Sequence, residues 1–287
     1  LTLNGQNVRL SQSNANIAGL NISVNQFDVQ SMEDIVFQVA GPLEVAAPNG
    51  MLLDSGRDLL ANSSGAQRWS TEVSLGSTMR LLADRDMTFS SSPTGGSTLD
   101  FLSADLPMQS TTGDILLQSR QAMTLDVDLL DITATTGDVL MQVQLGQPLT
   151  INSDSASIQA GQDVTVNLGL GGTPSQQDLL IASSIPAVIQ AGRDVVFNVS
   201  NIDAGAGSLN LSAGRDLSVR NSNNNNGDIQ ILANSLNVSA DGDLDLRSDR
   251  ALTVRTDGDL NLHAGNNLVT LSGNINTLPG ASLTLES

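Results

Sequence analysis

The sequence predicts an all-β fold, an elongated triangular parallel β-helix (a solenoid) of roughly eight-residue strand–turn units with about 24 residues per turn. Three observations carry this: an apolar pair recurring every eight residues, Gly/Asp/Asn-rich corners between the pairs, and a composition that offers no large globular core.

The repeat is plainest near the C-terminal end. Leu244, Leu252, Leu260 and Leu268 fall eight apart, and the first three are followed two residues later by Leu246, Val254 and Leu262. Two further on stands a small residue, Ser248, Thr256 or Ala264. The unit also runs through Phe27/Val29, Ile35/Phe37, Leu43/Val45, Met51/Leu53 and Leu59/Ala61. It continues as Met79/Leu81, Met87/Phe89, Ile115/Leu117, Met123/Leu125, Ala156/Ile158, Val164/Val166, Leu209/Leu211 and Leu217/Val219. In a strand, residues i, i+2 and i+4 share a face, so the two apolar residues and the small one point inward together. Two apolar residues in eight do not draw the 3.6-residue stripe of a helix.

Corners such as Thr256-Asp257-Gly258-Asp259 and Ala264-Gly265-Asn266-Asn267 are built from turn formers. Three short sides then close a triangle. One chain supplying all sides gives about 12 turns and a rod of about 55 Å. Three chains sharing each layer would give a needle of about 170 Å. The octad fits both; the recurrence of corner aspartates at Asp58, Asp86, Asp114, Asp138, Asp163, Asp194 and Asp216 leans toward one chain.

The rod is continuous over residues 1–287, with loop insertions expected near 90–97, 169–177 and 221–227. Octads reach both ends, with Leu1/Leu3 and Leu283/Leu285, so the chain reads as a fragment of a longer protein. Unpaired β edges at its ends invite self-association or docking of other β-helix subunits.

Twelve basic residues, all Arg, stand against 30 acidic ones, for a net charge of −18. That argues against nucleic acid and anionic membranes as partners. No apolar stretch approaches the roughly 20 residues that span a bilayer. There is no cysteine, hence no disulfide or thiolate site. Five Phe, one Trp (Trp69) and no Tyr exclude an aromatic-rich core and leave few platforms for sugars.

Catalytic chemistry finds little material. The single histidine, His263, falls at an outward position between Leu262 and Ala264, so Ser/His/Asp and His-rich metal sites are hard to build. No catalytic or cofactor-binding residues are assigned. Calcium is the one ligand with candidates: Asp241 and Asp243, then Asp257 and Asp259, in two Asp-Gly-Asp corners. The bland reading of both is turn chemistry. Arg57, Arg85, Arg193 and Arg215, each followed by Asp, read as corner residues paired with local carboxylates. Five Asn-x-Ser sequons, at Asn21, Asn62, Asn198, Asn210 and Asn237, permit glycosylation in a secretory setting.

Units such as Gly41-Pro42-Leu43-Glu44-Val45-Ala46-Ala47-Pro48 and Ala251-Leu252-Thr253-Val254-Arg255-Thr256-Asp257-Gly258 resemble the sarcoglycan-family ectodomain. A related octad occurs in the needle proteins of contractile phage tails. Ala191-Gly192-Arg193-Asp194-Val195 and Ala213-Gly214-Arg215-Asp216-Leu217 resemble filamentous-haemagglutinin-type adhesins. The membrane-spanning segment and Cys-rich end of sarcoglycans have no counterpart here. These resemblances imply a non-enzymatic extracellular or cell-surface rod, part of a fibre, adhesin or surface complex. The alternatives are a carbohydrate-active β-helix enzyme, which needs an outward groove lined by acids in neighbouring layers, and a calcium-dependent binding module.

Overall fold

A computed structural model describes the 287 residues except 14–18, 92–96, 146, 170–177, 206, 222–227, 278–281 and 287, and except the side chains of 75, 249–250, 270–277 and 283. Among the described residues the chain is one parallel β-solenoid, 30 strands joined in parallel ladders, with one 3-10 turn at Val73–Leu75. From the second turn on, each strand pairs with a strand one turn earlier in the same chain, so one chain supplies all three sides of a layer.

The register shows how the octads stack. On the first face, partnered residues run Leu3, Val29, Leu53, Leu81, Met108, Ile132, Ile158, Ile189, Leu211, Val238, Leu262 and Leu285. All those between the two end residues are buried. The mean step is about 25 residues. The second face stacks Leu10, Phe37, Ala61, Phe89, Leu117 and Met141, and the third stacks Ile22, Val45, Trp69, Phe101, Leu125 and Ile151. Burial alternates along each strand, as in Phe27–Ser31 and Ile115–Ser119, so inward aliphatics form one core the length of the rod.

The scarce aromatics are used as a string. Phe27, Phe37, Trp69, Phe89 and Phe101 meet edge to face, with successive centroids 5.2 to 6.3 Å apart. Gln67 sits fully buried at a position where the octad calls for an apolar residue. Its Oε1 accepts the Trp69 indole N–H at 3.2 Å, and its Nε2 donates to the carbonyls of Ala61 and Ser90 at 2.8 and 2.5 Å. That satisfies the one polar atom the indole brings inside.

The third inward residue is small because the interior narrows there, and it is often a hydroxyl for a second reason. Ser55 Oγ donates to the corner carbonyls of Glu33 and Asp58 at 2.6 and 2.8 Å. Ser103, Ser119 and Thr256 likewise donate to carbonyls of the corners that follow them.

Not every corner breaks a strand. Leu99–Ser110, Met123–Ala134 and Leu244–Thr256 each run through a corner and serve two faces. The loop insertions expected near 90–97, 169–177 and 221–227 lie for most of their length outside the described residues; each connects a second-face strand to a third-face strand.

Candidate functional site

The corner joining the first face to the second carries the most ordered polar structure. Each turn contributes an aspartate there: Asp34, Asp58, Asp86, Asp114, Asp138, Asp163, Asp194, Asp216 and Asp243. The Oδ1 of each accepts a hydrogen bond from the next turn. The backbone N–H of Asp114 donates to Asp86 at 3.1 Å, that of Asp138 to Asp114 at 2.8 Å, and that of Asp163 to Asp138 at 2.9 Å. The series continues through Asp194, Asp216 and Asp243. Amides close it: Asn7 Oδ1 accepts the Asp34 N–H at 3.2 Å, and Asn267 Nδ2 donates to Asp243 at 2.9 Å.

Carboxylates stacked one per layer repel one another, and arginines from the following turn offset this. Arg57 grips Asp34 side-on, with Nε on Oδ1 at 2.7 Å and Nη2 on Oδ2. Arg85 holds Asp58, Arg193 holds Asp163 and Arg215 holds Asp194 in the same way. The arginines are corner residues paired with carboxylates, as read from the sequence, but the gripped carboxylate is not that of the aspartate following each of them. Stacking brings in a carboxylate one whole turn earlier. The Arg57 guanidinium holds the Asp34 carboxyl below the usual carboxylate range, helped by the Asp58 N–H against the opposing effect of desolvation. Arg193 does the same for Asp163.

Above Asp86 and Asp114 the arginine position is taken by Gly113 and Gly137. Here the turns come so close that a Cβ on Gly137 would overlap the Gly113 carbonyl. No side chain fits, and the aspartate–amide bonds carry the stacking.

The corner joining the third face to the first holds an open groove of about 440 Å³. Asp126 and Asp128 line it from one layer, Asn152, Ser153 and Asp154 from the next, and Ser183 and Ser184 from the third. Ser184 Oγ donates to Asp154 Oδ1 at 3.2 Å, and Ser153 Oγ is buried without a hydrogen-bond partner. Three carboxylates from two neighbouring layers thus line one groove. Sequence spacing did not reveal it, because it depends on which corner each octad reaches.

The four calcium candidates are divided between two corners. Asp241 and Asp243 lie at the aspartate ladder, where Asp243 accepts from Asn267. Asp257 and Asp259 lie at the groove-side corner, where Asp259 accepts from the N–H and Oγ of Ser282 at 3.1 and 2.7 Å. The fold does not bring the two pairs together, and among the described residues no group of three or more His, Asp or Glu is arranged to hold a metal. Outward His263 is half-exposed, with Nδ1 3.3 Å from Glu286. Three sequon asparagines have their carboxamides in stacked ladders: Asn237 donates to Asn210 at 2.8 Å, Asn261 donates to Asn237 at 2.7 Å, and Asn198 donates to Asn167.

No family model matches the chain, and no curated protein or solved structure is detectably similar to it. The fold is a parallel β-solenoid. Among the described residues no helix is long and apolar enough to cross a membrane.

Proposed function

We propose that this chain is a non-enzymatic structural rod exposed outside the cell, serving as a subunit of a fibre, adhesin or cell-surface complex. The observation that carries this reading is the uninterrupted stacking: one core and one aspartate ladder run from Asn7 to Asn267. Such a molecule sets a distance and presents repeated surfaces, as the octad resemblances to sarcoglycan-type and adhesin-type rods also suggest.

The outer layer at Thr2–Gly5 and Val8–Gln12 pairs on one side only, and Leu3, Val8, Leu10, Leu20 and Ile22 are partly buried against the core. Further β-helix layers stacked on that edge, from this protein or from another subunit, would cover them. Labelling of intact source cells with a membrane-impermeant reagent is expected to reach the chain; labelling only after lysis would contradict the proposed location.

The groove at Asp126, Asp128 and Asp154 favours a second reading, a carbohydrate-active β-helix. Cleavage of a polysaccharide that disappears in Asp126→Asn and Asp154→Asn would establish that reading and displace the first.

A further inference from the structure

Charge enters the second face late. From Val36 to Val196 its first outward column holds only Val, Leu and Thr. The next two layers change it to Ser218 and Asp245, and the column beside it changes from Asn198 to Arg220 and Arg247. Ser218 is the smallest side chain of its column, and a trough of about 370 Å³ lies over it, with Val196 and Val269 in the flanking layers.

One wall of the trough is positive. Arg220 Nη2 donates to Asp245 Oδ2 at 3.0 Å, and Arg247 Nε donates to Asp245 Oδ1 at 2.6 Å. Two guanidinium groups on adjacent turns thus share one carboxylate, itself only 8% exposed. One positive charge is left over, and each guanidinium keeps donors to spare beyond the one it gives Asp245. Their turns are about 4.8 Å apart, close enough for the two cations to repel unless a further anion joins them.

The opposite wall is negative. It carries Asp216 and Asp243 of the ladder, above which the arginine position is taken by Gly242 and Asn266. Oδ1 of Asp216 accepts the Asp243 N–H and Oδ1 of Asp243 accepts from Asn267, both at 2.9 Å. Arg215 Nε stands 3.7 Å from Asp216 Oδ2 but is committed to Asp194 at 2.7 Å.

We infer that the trough is a binding site for a small zwitterion about the length of a dipeptide. A ligand of a single charge meets its own sign on one wall. A zwitterion sets its ammonium against Asp216 and Asp243 and its carboxylate against Arg220 and Arg247, with charge-assisted hydrogen bonds at both ends. Length follows from the strand. Both guanidinium groups fold back onto Asp245, two residues from Asp243, and at about 3.3 Å per residue the walls stand about 7 Å apart. The ends of an extended dipeptide are separated by about the same distance, and those of a single amino acid by about half of it. The volume lies at the lower end of the roughly 300–1,000 Å³ of small-molecule sites, so longer peptides project out of it. The site requires only the solenoid and holds or fails independently of where the rod is displayed.

Titration calorimetry of the full chain with L-alanyl-L-alanine is expected to show saturable binding at one site with a Kd of about 1 mM or tighter. N-acetyl-alanyl-alanine lacks the cation and alanyl-alanine amide lacks the anion, and each should bind about tenfold more weakly or worse. Ser218→Leu gives this layer the side chain that Leu116 and Leu140 already place in the same column, and should abolish binding by filling the floor. Asp216→Asn keeps an acceptor for the Asp243 N–H and should weaken dialanine by about tenfold, narrowing its advantage over the N-acetyl compound. Asp114→Asn, elsewhere on the ladder, should change nothing. Circular dichroism melts confirm that each variant is folded. No saturable binding up to about 10 mM, equal affinity for the three compounds, or binding that survives Ser218→Leu would overturn the inference.

Discussion

The carboxylate of Asp114 accepts the backbone N–H of Asp138, one turn farther along, at 2.8 Å, with no arginine above it. Asp114→Asn keeps an acceptor oxygen and is expected to leave the melting temperature nearly unchanged. Asp114→Ala removes the acceptor and should cost about 1 kcal/mol, read from a urea or thermal melt.

Acid should weaken the rod at the arginine-bound members of the ladder. The folded-state carboxyls of Asp34 and Asp163 are held below their ordinary value of 3.8. A depressed folded value means that their stabilisation is fully present above the unfolded value and is lost as pH falls through the folded one. Melts between pH 6 and pH 2 are expected to lose stability only below about pH 4. The double variant Asp34→Asn/Asp163→Asn should show a shallower loss; an equal slope would remove these two carboxyls from the account.

Gln67 is the buried partner of Trp69. Gln67→Leu leaves the indole N–H without an acceptor in an apolar interior and should destabilise by about 1–3 kcal/mol. Trp69 is the only tryptophan, so fluorescence-detected denaturation reads the site directly.

Close approach at the ladder corner makes a contrast between two glycines. A Cβ at Gly137 would overlap backbone, whereas Gly76, at φ +64, has open space around it. Gly137→Ala should destabilise by about 1–3 kcal/mol through forced separation of turns. Gly76→Ala should cost about 1 kcal/mol from conformation alone.

The inward columns were legible in the sequence because side-chain alternation and the octad both fix which residues share the interior. Leu244, Leu252 and Leu260 are each at most 1% exposed. Less visible was everything that depends on which turn lies above which. Arg57 read as a corner residue with a local carboxylate, yet its partner Asp34 is 23 residues away. The groove at Asp126 and Asp154 needs two layers in register before it exists. Gln67 broke the apolar pattern at one position, and that break pointed at Trp69 only once both were seen inside. Strands such as Met123–Ala134 cross a corner without Gly or Asn, so turn residues alone undercount the bends.

The central claim is that one chain forms all three sides of each layer. Asn237 and Asn261 lie on adjacent turns of the first face, with Nδ2 of Asn261 2.7 Å from Oδ1 of Asn237. The variant Asn237→Cys/Asn261→Cys, in a chain with no other cysteine, places two thiols within disulfide reach. Mild oxidation at low concentration, followed by denaturing mass measurement, should give an internally cross-linked monomer. Covalent oligomers would instead mean that neighbouring layers come from different chains, and free thiols would mean that the layers are not stacked in this register.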